Sequence, residues 1–149
     1  MNDASLGELE AEVLAALKVI NVLIVVDVEG ALASGDLGAN VYLIDTNKYF
    51  GSGSEGQEEL VTSCKDGQTI VWSIASVNPG DDAEIAGFSG QAVTSRVCNP
   101  KQTTLPTGDV VWSGRVESQG ATARYQYTCT LSFDGKAMTF DPFLDVKAN

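Results

Sequence analysis

The sequence predicts a mainly β protein: an antiparallel, jelly-roll-like β-sandwich of about 8–10 strands with one amphipathic helix at its N-terminus. Three observations carry that expectation. The run at 19–28 has seven β-branched residues in ten, which marks a strand buried on most of both faces. Beyond it come short runs of alternating polarity, separated by Gly, Pro, Asn and Asp turns. At 149 residues, 44% of them hydrophobic, the chain is long enough for a two-layer core. A closed barrel is the alternative arrangement of the same strands.

Residues 1–18 read as a helical segment ahead of a sandwich domain at 19–149. Ser5 and Glu8 fit a capping box, and Glu8, Glu10 and Glu12 put negative charge where the helix dipole favours it. Leu6, Leu9, Val13, Leu14 and Leu17 recur at spacings of three and four, so one face is apolar. A helix this short is marginal alone. Its stripe, with Leu6, Leu9, Val13 and Leu17 as the contact, therefore docks either on its own sheet or on another subunit. The acidic polar face disfavours a membrane surface. Lys18, Asn21 and Asp27 interrupt the apolar stretch, which falls short of the roughly 20 residues a spanning helix needs.

After the first strand, 29–38 reads as a small-residue loop, followed by strands at 40–45 and 59–64. Lys65-Asp66-Gly67-Gln68 reads as a hairpin turn into a strand at 69–77, with Ile70, Trp72 and Ile74 on one side. Strands are expected at 84–88 and 91–98, and the longest loop at 99–108. Residues 109–117 and 122–133 read as a long hairpin around Gln119-Gly120. Asp134-Gly135 is a turn, and strands at 137–140 and 143–146 close the chain.

Charge and composition exclude several functions. Twenty acidic and nine basic side chains give a net charge of −11, which repels phosphate backbones and anionic lipid. Neither nucleic acid nor membrane is an expected partner. The chain has no histidine, which removes Ser-His and Cys-His nucleophile pairs and most transition-metal sites. Cys64, Cys98 and Cys129 share no metal-type spacing, and the acidic start has no positive n-region. A reduced, cytoplasmic protein with its cysteines at apolar strand positions is expected. The alternative is a secreted chain with a Cys98–Cys129 bridge and Cys64 free.

Three sets of residues are candidates for chemistry. Asn78, Asp81, Asp82 and Glu84 crowd oxygen ligands on one turn, as calcium requires, though without the spacing of a twelve-residue calcium loop. A solvated acidic turn is the plainer reading, and calcium is the one cofactor the sequence suggests. Tyr49 and Phe50, at the lip of a Gly/Ser-rich segment, are candidates for binding a carbohydrate or protein partner. Trp72, Trp112 and Tyr42 could join them in a binding platform, but at strand positions flanked by valines they read more often as core. Asp141 with Asp145, or Glu58 with Glu59, supplies the two carboxylates of a glycosidase, but nothing around either pair sets one pKa apart.

Several stretches, taken in order, resemble the PixA/AidA family of bacterial inclusion-body proteins. Ile20-Asn21-Val22-Leu23-Ile24-Val25-Val26-Asp27 is similar to that family's first strand, and Val41-Tyr42-Leu43-Ile44 to its next block. Asp66-Gly67-Gln68-Thr69-Ile70-Val71-Trp72 resembles its G-D-x-I-x-W strand entry, and Ile85-Ala86-Gly87-Phe88-Ser89-Gly90 echoes it too. The most specific part runs from Tyr125-Gln126-Tyr127 to Phe140-Asp141-Pro142-Phe143-Leu144-Asp145-Val146. The resemblance implies a non-enzymatic, cytoplasmic, often abundant bacterial protein that collects in inclusions. It brings no catalytic residues. The expected function is that of a self-associating, homo-oligomeric inclusion-body-type protein; the alternative is a lectin-like module dependent on carbohydrate or calcium.

Overall fold

Alternation of period two turns the valine-rich run into β1 (Ile20–Val26), in the computed structural model that describes residues 19–47 and 52–148. There follow β2 (Val41–Asp45), β3 (Val61–Lys65), β4 (Thr69–Ser76), β5 (Glu84–Ser89), β6 (Lys101–Thr104), β7 (Val110–Arg115), β8 (Ala123–Gln126), β9 (Thr128–Phe133), β10 (Lys136–Phe140) and β11 (Phe143–Lys147). Two short helices interrupt them, α1 (Val28–Ser34) and α2 (Gln91–Thr94).

One layer is a five-stranded sheet in the order β2-β1-β4-β7-β6. Its inner face carries Ile20, Val22, Ile24 and Val26, all 0% exposed, beside Val41, Leu43, Ile70 and Trp72. The other layer is a ribbon with a kink. β9 pairs with β10 and β8 pairs with β11, both antiparallel, and the two pairs are consecutive stretches of the same two chain segments. The kink falls at Tyr127 on one segment and Asp141-Pro142 on the other. There the Tyr127 N–H donates to the Pro142 carbonyl at 3.0 Å, and the Thr128 hydroxyl donates to Asp141 at 2.8 Å, so pairing continues across the bend. β5 adds beside β9 and β3 beside β11. Buried side chains from both layers merge into one core, where Phe88 touches Trp72, Trp112 and Tyr127.

The mainly β, sandwich-like class holds, with particular departures from the sequence reading. Eleven strands are present among the described residues, and two pairings, β1 with β4 and β3 with β11, are parallel where antiparallel pairing was expected. β1 is buried on one face only: Leu23 and Val25 are half-buried and Asn21 is exposed. The small-residue stretch after it is the helix α1, not a loop. Asp27 caps it by accepting from the Gly30 N–H at 3.0 Å, and Gly35 ends it at φ 71°, a left-handed conformation that glycine adopts without strain.

Residues 91–98 are not a strand. α2 opens them, and the Val97 and Cys98 N–H groups bond back to the Ala92 carbonyl. The loop at 99–108 contains the edge strand β6. Neither the turn at Asp66-Gly67 nor that at Gln119-Gly120 makes a hairpin, because the chain changes layer at each: β3 joins β11 while β4 joins β1, and β7 stays with β4 while β8 joins β11. The three cysteines are buried free thiols, so the Cys98–Cys129 bridge is not made. The N-terminal helix expected at 5–18, with Leu6, Leu9, Val13 and Leu17, lies outside the described residues. Among the described residues, no helix is long and apolar enough to cross a membrane.

Candidate functional site

The outward face of the five-stranded sheet is set by register. Leu23 pairs with Ile44 and Val25 with Tyr42, and on the other side Asn21, Leu23 and Val25 pair with Val71, Ser73 and Ala75. Partners directly opposite in a ladder point the same way. These side chains therefore form one surface opposite the core. Across β7 and β6 it continues with Val111, Ser113, Arg115, Thr103 and Lys101. Tyr42 and Ile44 are each 48% exposed, so Tyr42 is not the core residue expected, and Leu23, Val25 and Val71 are half-buried. None of these positions is a carboxylate, and the two charges present are cationic. In a chain of net charge −11, this face is an apolar exception.

Four of the six sheet edges, by contrast, are blunted. On the outer edge of β2, the Leu43 carbonyl accepts from Gly56 and the Asp45 N–H donates to the Glu55 carboxylate at 3.0 Å. β3 is covered by Gly53, which exchanges two main-chain bonds with Val61, and by the Ser52 hydroxyl on the Ser63 N–H. β5 carries a register shift between Ile85 and Gly87. β6 is four residues long, fully exposed, and starts with Lys101. Short, charged, bulged or covered edges resist pairing with another chain.

Within that sheet lies a fork. β1 and β4 remain paired to Val26–Ser76, and β6 and β7 to Thr104–Val110, but the β4–β7 ladder stops at Trp72–Trp112. At this last rung two indoles stand opposite one another on the core side, with Phe88 packed on both at 4.8 and 5.5 Å between ring centroids. A cleft of about 650 Å³ opens there, with apolar walls that include Ile74, Ile85, Leu105, Val110 and Trp112. Its polar lining is Asn21, Ser73, Gln102, Glu84 and Asp109.

The residues singled out from the sequence are scattered. Tyr49 and Phe50 lie outside the described residues. Asn78 is committed to structure: its side-chain oxygen accepts from the Glu29 N–H at 3.2 Å, tying the turn to α1. Asp82 and Glu84 are exposed, and Glu84 starts β5 on the rim of the cleft. Among the described residues, no group of three or more Cys, Asp or Glu side chains could hold a metal ion. Asp141 accepts from Thr128, and Asp145 stands 3.8 Å from Arg124, so both carboxylates have structural partners. Burial pushes the thiols of Cys64 and Cys98 up to about 12 and raises that of Cys129 as well, so none is a ready nucleophile. Trp72 is core, as read, whereas Trp112 is half-buried and walls the cleft. No local pattern marks the cleft, because the ladder that ends at Trp72–Trp112 joins residues 40 positions apart.

A solved structure resembles this fold: the crystal structure of the inclusion body protein PixA from Burkholderia cenocepacia J2315. It superposes with a TM-score of 0.67 at 14% identity, covering 90% of this chain and 96% of that one. No curated protein matches the sequence. A family model, described as a domain of unknown function, matches residues 18–139, which spans β1 to β10. The chain belongs to that family, Domain of unknown function (DUF8788).

Proposed function

We propose that this protein is a non-catalytic β-sandwich of the inclusion-body type that self-associates, with a second copy covering the open face of the five-stranded sheet. The carboxylate-free apolar surface around Tyr42 and Ile44 carries this reading. Copies of an acidic chain repel one another generally, and they approach at least electrostatic cost where carboxylates are missing. The likeness in fold to an inclusion body protein supports the same reading. So do a chain without histidine and thiols held in their protonated form. A cytoplasmic location, in inclusions, goes with it. The stripe Leu6, Leu9, Val13 and Leu17 is a second contact in this proposal.

Sedimentation velocity over a range of concentrations tests it with three chains. The intact chain should form oligomers. Ile44→Lys, which puts a charge at an exposed position, should shift it to monomer, and removal of residues 1–18 should weaken assembly. An intact chain that stays monomeric throughout contradicts the proposal, and an oligomeric Ile44→Lys chain contradicts the face assigned to it.

A further inference from the structure

The geometry points to the cleft at the sheet fork as a binding site for small organic cations, an ammonium group carried on an apolar aryl or alkyl body. The volume of about 650 Å³ is that of a small-molecule site, and its walls, polar and apolar in about equal measure, suit a ligand with one charged end and one apolar end. The charged side chains lining it are Glu84 and Asp109, with no lysine or arginine. A cation is drawn in and an anion repelled. Trp112 adds a π-system, which attracts an ammonium group when other water-borne partners are stripped away.

The main chain contributes as well. Val77 donates to the Val26 carbonyl, so odd-numbered residues of β4 bond to β1 and even-numbered ones face β7. Likewise the Leu105 N–H bonds to the Asp109 carbonyl, so odd-numbered residues of β7 bond to β6. The next rung after Trp72–Trp112 would join Ile74 to Val110, and it is not formed. The carbonyls of Ile74 and Val110 thus face the gap as acceptors for ammonium N–H groups, beside the N–H groups of the same two residues, which water can serve. An apolar body then lies against Leu105, Ile74 and Trp112.

The test is a matched set of probes on the intact chain: phenethylamine, benzyltrimethylammonium, phenylpropionate, benzyl alcohol and tetramethylammonium, followed by thermal shift and by tryptophan fluorescence. The two aryl-ammonium probes should raise Tm saturably and change tryptophan emission at concentrations up to ~10 mM, a range that detects millimolar Kd values, with benzyltrimethylammonium, which has no N–H, held by charge and the π-face alone. Glu84→Gln with Asp109→Asn, both at exposed positions, should weaken that binding about tenfold with the fold intact. No saturable effect from either aryl-ammonium probe overturns the assignment. So does an equal effect from phenylpropionate or benzyl alcohol, equal binding of tetramethylammonium without the aryl body, or unchanged binding in the double variant. Asn21, Val71, Ser73 and Val111 line the cleft and also belong to the open face, so the probes are added at a concentration where the chain sediments as a monomer, which separates these outcomes from those of self-association.

Discussion

The Trp72 indole N–H donates to the Tyr127 hydroxyl at 3.2 Å, and both side chains are buried. Trp72 belongs to the centre of the five-stranded sheet, and Tyr127 to the kink of the opposite ribbon. Their rings also meet edge-on at 5.7 Å. One hydrogen bond therefore fixes where the bend of one layer sits over the middle strand of the other. Burial raises the Tyr127 hydroxyl well above its ordinary range, so it stays protonated through neutral and mildly alkaline pH.

Replacing Tyr127 with Phe keeps the ring and strands the Trp72 N–H in the core. A buried donor without a partner costs about 1–3 kcal/mol. Urea denaturation should show the midpoint falling with the m-value unchanged. A midpoint equal to that of the parent would mean that the bond does not hold the layers.

The thiols should be silent in the folded chain. An aromatic disulfide reagent at neutral pH is expected to find almost no reactive thiol in the native protein and all three in denaturant. Their pKa values rise on folding from an ordinary 9.0, to about 12 for Cys64 and Cys98. A raised acid favours the folded state below its unfolded pKa. That contribution is complete below pH 9 and is lost as pH climbs from there toward about 12. Rapid native labelling would contradict the burial.

Asp66 and Glu58 should respond to acid with opposite signs. Asp66 accepts from the Gly120 and Ser118 N–H groups, which hold its carboxyl below 3.8. The stability it gives is present above that value and is lost as pH falls through the folded pKa. Asp66→Asn should cost about 1 kcal/mol, a figure kept small because water screens this surface site. Glu58 is raised by burial first, then by Glu59, Asp36 and Asp141. Its charge opposes folding, so Glu58→Gln at pH 7 should be neutral or raise the melting temperature. A lowered Tm would contradict the sign.

Gly114 permits a close approach. A Cβ built there would stand 2.7 Å from the Cys98 sulfur and 3.2 Å from the Pro100 backbone. Gly114→Ala should therefore destabilise by about 1–3 kcal/mol, as overpacking does. Adding Cys98→Ala should recover part of the loss, and a double-mutant cycle reads the coupling. Independent effects would mean that the two do not meet.

Alternation made β4 legible, and the β-branched run marked β1, although that run was expected to be buried on both faces and in fact buries one. Where the signals were local and short, the reading failed. α1 spans seven residues of mostly small side chains, and its Asp27 cap and Gly35 stop resemble the start and end of a turn. The D-G pair at Asp66-Gly67 does turn the chain, but turn chemistry is silent on whether the next strand returns to the same layer. β6, composed of Lys, Gln and Thr, pairs through main chain alone and leaves no hydrophobic pattern. The open face and the fork depend on which strands become neighbours, a long-range property. Leu23, Val25, Tyr42 and Ile44 look individually like any half-buried strand residues; register alone makes them one surface.

Hydroxyl-radical labelling of Tyr42 as the protein concentration is raised tests the self-association proposal most directly. Tyr42 is 48% exposed in the single chain, and Tyr125, half-buried on β8 in the opposite layer, serves as the internal control. If a second copy covers the open face, labelling of Tyr42 falls with concentration while that of Tyr125 holds. Unchanged labelling of Tyr42 at concentrations where the chain sediments as an oligomer would place the contact elsewhere and contradict the proposal.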